Sequence, residues 1–376
     1  MVERAAKGLA DIVAASTAIS DVNGKAGALT YRGYDIHQLA GRTSFEEVAH
    51  LLQRGTLPGR GDLEAYRAEL AGARTALGPT IDAVLAAVAD RSEPMAALRT
   101  LVSALSADDP DAADNSPAAD RRKAARLVAQ LPVLIARYRA ARDGGTVPDP
   151  DPDLGVAGNF LWQLWGEPPD PRHVAMLDEC LVLYADHTMN ASTFAARVCA
   201  ATLSDLHSAV TTAIGTLKGP LHGGAPEAVL LTLEAIGSVD AAAEAVRGRL
   251  DRGERIVGFG HRVYHAEDPR TEHLRVMSRR LGELTGQPRY YELSAAVERA
   301  VLDAGGQRPN ADFYAASVYR GLGIPAELFT PVFAMSRVAG WTAHVLEQHA
   351  DNRLIRPDAA YIGPKRQVWM PIQERL

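Results

Sequence analysis

The chain is poor in cysteine and has no long apolar run. Only two cysteines, Cys180 and Cys199, occur among its 376 residues, and both lie in apolar stretches of helical character. We therefore expect two thiols in a reducing compartment rather than a disulfide framework. No stretch approaches the roughly 20 apolar residues of a membrane span. Acidic residues at Glu3 and Asp11 interrupt any signal-peptide pattern, so the expected location is cytoplasmic.

An excess of positive charge is also missing. The 40 basic residues are outnumbered by 46 acidic ones, and the net charge of -6 gives no support for binding nucleic acid or membranes through bulk charge. Aromatic residues are only 6% of the chain, whereas its hydrophobic share of 47% is ordinary for a globular protein. Alanine and leucine are abundant, which favours helices, and the length allows two or three domains.

Strand signals are confined to the first 31 residues. They occur around Ile12-Val13 and over residues 28–31, with Asn23-Gly24 between them as a turn signal. Strands do not alternate with helices anywhere in the chain. The predicted fold class is therefore mainly α with a minor N-terminal β element.

Helical patterns fill most of the remaining chain. Ser44 and Glu47 form a capping box at the start of one helix, and a single helix is predicted over residues 192–217. Residues 107–120 are acidic and small, which indicates a mobile surface connection. Residues 351–376 are expected to be irregular or extended.

A histidine lies between glycines in the segment Gly219–Gly224. Small neighbours leave the approach to His222 open, and Pro226 with Glu227 indicates that a helix begins just afterwards. The positive end of a helix disfavours an imidazolium, so the ring would stay neutral and donate one N–H to an oxygen. The alternative is a turn in which the histidine caps a neighbouring group.

A second histidine lies in a glycine-containing segment, residues 255–264. Gly258 and Gly260 lack the third glycine of a dinucleotide-binding fingerprint, and no βαβ unit surrounds them. A further histidine follows His261 by four residues, but neither a helical pattern nor a third ligand accompanies the pair, so a zinc site is not supported. The remaining interpretation is a histidine on a loop whose amides are free to bind a ligand.

Asp312 lies in the first turn of a helix that Asn310 caps. A carboxylate is favourable at that position because of the helix dipole alone, so a structural role would explain it. The functional alternative makes Asp312 a general base, which requires it to be ionised near its target.

Several arginines and one histidine are candidates for binding an anion. Arg337 is the only formally charged residue between positions 331 and 346, where burial without a partner would be costly. Arg270 opposes the dipole of its helix and would face an anion, which its neighbour Glu267 or Asp268 could supply. Arg356 is ambiguous, since exposed arginines are common. His187 ends a helix near polar residues, and either a capping or a binding role fits it.

Taken together, these segments resemble the citrate synthase family, and the likeness runs through nearly the whole chain in order. The matching segments are Gly27–Ile36, Asp186–Phe194, Lys218–Ala225, Gly258–Tyr264, Asp268–Arg270, Pro309–Tyr314, Ser336–Trp341 and Asn352–Pro357. One departure is the segment Gly305–Arg308, which lacks the lysine expected to contact a coenzyme A phosphate.

The resemblance implies a mechanism with three catalytic side chains. Asp312 would remove a methyl proton from acetyl-CoA, while His222 donates to the thioester oxygen and His261 donates to the ketone oxygen of oxaloacetate. Citryl-CoA would form and be hydrolysed to citrate and coenzyme A, as in the tricarboxylic acid cycle. The family uses coenzyme A only as part of its co-substrate, and it needs no metal or resident cofactor.

The resemblance also implies how the substrates are held. His187, Arg270 and Arg337 would bind oxaloacetate together with Arg356, which would come from the other subunit of a homodimer. The adenine end of coenzyme A would contact the backbone amides of Arg255, Ile256, Val257, Gly258 and Phe259. Residues 1–222 and 329–376 would form a large helical domain, and residues 223–328 a small domain that closes over the substrates.

Two other functions stay open at this stage. A 2-methylcitrate synthase would run the same chemistry on propionyl-CoA, and one methylene changes pocket preference by only ~1–3 kcal/mol. A non-catalytic protein that senses a dicarboxylate or an acyl-CoA would bind its ligand without releasing free thiol.

Overall fold

The computed structural model describes residues 7–9 and 12–375, and the fold is mainly α, as the sequence predicts. The α-helices of this part are α1 Ile36–Leu39, α2 Phe45–Arg54, α3 Arg60–Thr75, α4 Pro79–Val88, α5 Pro94–Leu105, α6 Pro117–Arg142, α7 Val156–Trp165, α8 Pro171–Tyr184, α9 Ala191–Ala200, α10 Leu206–Leu217, α11 Ala225–Ile236, α12 Ala242–Asp251, α13 Pro269–Thr285, α14 Arg289–Asp303, α15 Ala311–Gly321 and α16 Phe329–Ala350. Short 3-10 helices lie at Lys7–Leu9, Ala326–Leu328 and Ile372–Glu374. Within these ranges no helix is long and apolar enough to cross a membrane.

One small antiparallel sheet precedes the helices. Its strands are β1 Ser20–Asn23, β2 Ala28–Tyr31 and β3 Tyr34–Asp35, and Asn23 pairs with Ala28 across the first turn. The strand expected at 28–31 is confirmed, but the one expected around Ile12-Val13 is wrong. Those two side chains are exposed and pair with no strand of the described chain, so the first strand begins at Ser20 instead.

The predicted helix over residues 192–217 is in fact two helices, α9 and α10. Leu203 adopts a φ of 62° between them, and the side chain of Asp205 caps α10 by accepting from the backbone of Ser208. An apolar pattern that runs through both helices hides this break, because a short connection changes the direction of the chain without adding glycine or proline.

The acidic segment 107–120 is held by ion pairs, in contrast to the mobile connection that its composition indicates. Arg126 of α6 lies 2.7 Å from a carboxylate oxygen of Asp109 and 2.6 Å from one of Asp111. The fully buried Lys123 contacts Asp120 and the carbonyl oxygen of Asp114. Basic residues up to 17 positions further along the chain therefore fix the segment, and local composition does not reveal them.

Two groups of helices can be distinguished by their packing. The buried α16 contacts α2, α6, α8, α9 and α10, whereas α11 to α15 pack mainly on one another. The two groups meet where α16 contacts α11 and where α13 contacts α1 and α8. The domain boundaries at 222/223 and 328/329 stay a prediction.

The tail over residues 351–375 is irregular, as expected, apart from its short 3-10 helix. It exposes a set of large apolar side chains: Leu354, Tyr361, Ile362, Val368, Trp369 and Ile372. A surface of this kind on a globular protein usually marks a place where another surface packs.

Candidate active site

His222 lies in the loop between α10 and α11, and its ring is held by the start of α9. Its Nε2 accepts the backbone N–H of Ser192 at 3.3 Å and lies 2.8 Å from the Ser192 hydroxyl. Because Nε2 is an acceptor, the neutral ring carries its proton on Nδ1, which is left to donate. Burial and the nearby Arg337 guanidinium lower the pKa of His222 to about 4. The ring is therefore neutral, as predicted, but its burial is the main cause.

His261 has the opposite tautomer for a similar reason. Its Nδ1 accepts the backbone N–H groups of Val263 and Tyr264 at 3.0 and 3.1 Å, so the proton of the neutral ring is on Nε2. Burial and Arg270 lower the pKa of His261 to about 4. Each imidazole thus offers one N–H donor whose position the backbone fixes.

Close packing accounts for the glycines before His261. Gly258 has a φ of 86°, and a Cβ there would lie 2.8 Å from a methyl of Val229 and 2.9 Å from the ring of Phe313. Its carbonyl oxygen accepts the N–H of Asn310 at 2.9 Å, which joins this loop to the start of α15. Among the described residues, the amide N–H groups of residues 255–259 have no hydrogen-bond partner. Their assignment to coenzyme A stays a prediction.

Asp312 lies in the first turn of α15, where the side chain of Asn310 caps the helix. Its Oδ1 accepts a hydrogen bond from the Tyr184 hydroxyl at 3.2 Å. Burial raises the pKa of Asp312 above its ordinary value, against the attraction of Arg270. A carboxylate that ionises less readily is a stronger base once it is ionised.

The two buried arginines are paired differently. Arg270 makes a bidentate ion pair with Asp268, at 2.9 and 2.7 Å, so the nearby partner suggested by the sequence is present. Arg337 is 1% exposed, and its Nε donates to the carbonyl oxygen of Tyr184 at 2.7 Å. Its guanidinium carbon lies 4.7 Å from the centre of the Phe333 ring. No carboxylate of the described chain forms a direct ion pair with it, although the buried Asp186 attracts its charge.

Burial lowers the pKa of Arg337, although the attraction of the buried Asp186 carboxylate opposes this effect. A buried cation that makes no direct ion pair is costly, and an anionic ligand would offset that cost. Arg337 is therefore the clearest sign that the site binds an anion.

His187 completes the group. Its Nε2 lies 3.1 Å from the Tyr264 hydroxyl, and its ring centre is 5.4 Å from that of His261. Burial, together with Arg270 and Arg337, holds the pKa of His187 well below its usual range. Three neutral imidazoles thus lie beside two guanidinium groups.

The structure brings six of the predicted side chains into one cluster: His187, His222, His261, Arg270, Asp312 and Arg337. Aromatic rings link them, since Phe333 lies 6.5 Å from His222 and 5.0 Å from Tyr184 between ring centres. Arg356 is outside the cluster in the single chain. Its side chain is 74% exposed and pairs with Asp358 in the tail.

Sequence reasoning missed Tyr184 and Phe333 and gave Ser192 no defined role. Ser192 carried a weak signal as a polar residue near His187. Tyr184 and Phe333 read as ordinary core residues, and only the packing of α8 and α16 shows that they border the cluster.

Comparisons with known proteins identify the family of the chain. A family model described as "Citrate synthase, C-terminal domain" matches residues 8–358. The chain is 47% identical to citrate synthase 2 of Bacillus subtilis over 371 residues, which is 99% of each chain. It is 42% identical to a 2-methylcitrate synthase of Shewanella oneidensis, over 98% of this chain and 97% of that protein. A solved citrate synthase of Thermoplasma acidophilum, in a ternary complex with carboxymethyl coenzyme A and oxaloacetate, is similar with a TM-score of 0.90 and 31% identity, over 99% of this chain and 100% of that one.

Proposed function

This chain belongs to the citrate synthase family of acyltransferases, and from that premise we propose that it condenses acetyl-CoA with oxaloacetate and hydrolyses citryl-CoA to citrate and coenzyme A. This is the entry reaction of the tricarboxylic acid cycle. The single observation that carries the proposal is the buried Arg337, which makes no direct ion pair with a carboxylate of the described residues and lies in one cluster with two histidine donors and Asp312.

Asp312 removes a proton from the methyl group of the thioester. Its raised pKa makes it a better base than an ordinary aspartate. The Tyr184 hydroxyl occupies Oδ1, which leaves Oδ2 to accept the proton. His222 donates from Nδ1 to the thioester oxygen as charge develops on it. A neutral donor fixed before the reaction stabilises that charge without reorganisation.

His261 activates the second substrate. Its Nε2–H donates to the ketone oxygen of oxaloacetate and makes the ketone carbon electrophilic, while Arg337, Arg270 and His187 hold the carboxylates. The enolate carbon attacks, and the ketone oxygen takes up a proton to give citryl-CoA. Water then hydrolyses the thioester and releases the free thiol of coenzyme A. These steps need no metal and no redox cofactor.

The amides of residues 255–259 bind the adenine end of coenzyme A. Their N–H groups lack partners among the described residues, which supports this assignment. The small domain, residues 223–328, closes over the substrates, so that water reaches the thioester only after condensation. The enzyme acts in the cytoplasm.

The active form is a homodimer in which Arg356 reaches the oxaloacetate site of the other subunit. The exposed apolar side chains of the tail support this, because Leu354 and Tyr361 lie on either side of Arg356 and have no cover in the single chain. Packing of the tail on a partner subunit would bury these side chains and bring Arg356 close to that subunit.

A 2-methylcitrate synthase is the second candidate, and the 42% identity to the enzyme of that name favours keeping it. The two activities differ by one methylene in the acyl group. Values of kcat/KM for acetyl-CoA and propionyl-CoA, measured with the same protein at saturating oxaloacetate, decide between them.

The deciding experiment for the proposal is a thiol assay. Protein, oxaloacetate and acetyl-CoA are mixed, and free thiol is measured with a thiol reagent. Release that needs both substrates is the expected result. Oxaloacetate binding by calorimetry without thiol release, from either acyl-CoA, would instead identify a non-catalytic ligand-binding protein.

A further inference from the structure

The turn between β1 and β2 contacts the loop that carries His261. The carbonyl oxygen of Gly24 accepts the backbone N–H of His265 at 2.9 Å and that of Ala266 at 3.4 Å. Asn23 supports the turn from within, because its side chain accepts the N–H of Ala26 at 3.0 Å. The contact therefore joins backbone to backbone and does not depend on flexible side chains.

The fit between turn and loop leaves no space for a side chain at two positions. A Cβ on Gly24 would collide with the carbonyl oxygen of Val263 and lie 2.8 Å from its carbonyl carbon. A Cβ on Gly27 would lie 2.7 Å from the carbonyl oxygen of Glu267, and Gly27 also has a φ of 64°. Glycine at both positions lets the turn approach the loop.

The loop has few other backbone contacts. It belongs to no helix or strand, and the described residues give the amides of 261–267 only two kinds of partner. Those of Val263 and Tyr264 donate to the His261 ring, and those of His265 and Ala266 donate to Gly24. The segment that sets the His261 tautomer is thus held from outside by the β1–β2 turn.

We propose that the β1–β2 turn, residues 24–27, is a latch that positions His261. Gly24 and Gly27 are positioning residues, since they act through the loop and not on a substrate. The latch keeps the Val263 and Tyr264 amides on Nδ1 and therefore keeps Nε2–H directed at the ketone oxygen. Its catalytic consequence rests on the proposed function, but its structural consequence does not.

The latch also joins the two predicted domains. The turn lies within residues 1–222 and the His261 loop within 223–328. Forming the Gly24 hydrogen bonds would therefore accompany closure, and product release would require breaking them.

The test compares Gly24→Ala with a control in the same sheet, Gly33→Ala. Gly24 does not have a left-handed φ, so alanine fails there only by colliding with Val263. Gly33 has a φ of 88° and no atom within 4 Å of an added Cβ, so alanine there strains the sheet without touching the loop. Both variants are first checked for folding by circular dichroism and thermal unfolding.

Amide hydrogen exchange is the readout that does not need activity. In the wild type, the amides of His265 and Ala266 should exchange slowly together. Gly24→Ala should lower their protection by at least about ten-fold, whereas Gly33→Ala should leave it unchanged. Free exchange of both amides in the wild type would overturn the latch, and this measurement stands even if Gly24→Ala fails to fold.

Kinetics test the catalytic consequence. Misplacing His261 should lower kcat by about 10- to 100-fold in Gly24→Ala, with a smaller change in the KM for acetyl-CoA. The fall of kcat on the acid side of the pH profile should also move to higher pH in Gly24→Ala. The released His261 ring, which faces Arg270, Asp268, His187 and Tyr264, is better solvated and therefore protonates more readily. An equal loss of kcat in Gly33→Ala, or an unchanged kcat in Gly24→Ala, would overturn the catalytic consequence of the latch. A wild type without thiol release would reject the proposed function but leave the exchange result valid.

Discussion

At the scale of single residues, one physical cause sets the charge of three side chains. Burial disfavours the ionised form of every group, so it keeps the imidazoles of His222 and His261 neutral and makes Asp312 harder to ionise. Arg270 limits the effect on Asp312 by attracting its negative charge. Burial in the same site therefore makes His222 and His261 neutral hydrogen-bond donors and makes Asp312 a stronger base.

Replacement of Asp312 separates chemistry from binding. Asp312→Ala should lower kcat by about 10²–10⁴-fold, because proton transfer loses its base. Oxaloacetate affinity should stay within about two-fold in calorimetry, since Arg337 and His187 remain. Loss of binding with retained turnover would contradict the base assignment. Asp303→Ala, at the exposed end of α14, is a matched control that should leave both quantities unchanged.

The pH dependence follows from the same residue. Asp312 works only when ionised, and its folded-state pKa is raised above 3.8, so activity falls as the pH drops through that raised value. His222 and His261, with pKa values of about 4, are neutral above that pH, and their protonation below it would remove two donors and add to the loss of activity. A profile of kcat/KM against pH should fall on its acid side, with a midpoint above 3.8. A midpoint at or below that value, with the protein still folded by circular dichroism, contradicts the assignment.

At the scale of helices and strands, local signals were reliable where a backbone group needs a nearby partner. The capping box of Ser44 and Glu47 has both of its hydrogen bonds, and Asn310 caps α15 as expected. Predictions failed where a distant element decides. Ile12-Val13 has strand propensity but no partner, and α9 and α10 separate at a connection without a breaking residue.

The acidic segment 107–120 allows a test of element stability. Although burial opposes it, the His207 imidazole at 3.3 Å and the hydrogen bonds from Arg126 lower the pKa of Asp109 to about 2. Arg126→Ala should lower the free energy of unfolding by about 1–3 kcal/mol, because the buried Asp109 carboxylate loses its charged donor. Urea unfolding measures the change. Arg121→Ala, on an exposed position of the same helix, is the control and should have little effect. Equal midpoints for the two variants would show that the ion pairs do not hold the segment.

At the scale of the whole molecule, the convergence of the site residues could not be derived from their spacing. His187, His222, His261, Asp312 and Arg337 come from five separate parts of the chain, and only their order, compared with a known family, indicated that they meet. Tyr184 and Phe333 are site residues that this comparison of segment order did not indicate. Their place at the site depends on how α8 and α16 pack, which neither propensity nor motif encodes.

A subunit-mixing experiment tests whether the site is shared. Arg356→Ala and His222→Ala should each be nearly inactive alone, because each lacks one part of every site. A heterodimer would contain one site with both residues intact, so mixing after dissociation should restore up to about half of the wild-type activity per exchanged dimer. Thiol release and native mass spectrometry are measured on the same sample. Confirmed exchange without recovery would place the complete site in one chain.

The buried charge of Arg337, which has no direct ion pair, has a consequence for the lifetime of the protein. A ligand that binds only the folded state shifts the folding equilibrium towards that state, and here an anionic ligand would add negative charge beside Arg337, where the attraction of Asp186 does not outweigh the effect of burial. On the proposed function, the folded enzyme would be less stable in a cell with little oxaloacetate than in a cell with abundant oxaloacetate. The lifetime of the enzyme would then increase with the concentration of its substrate, without a separate regulator.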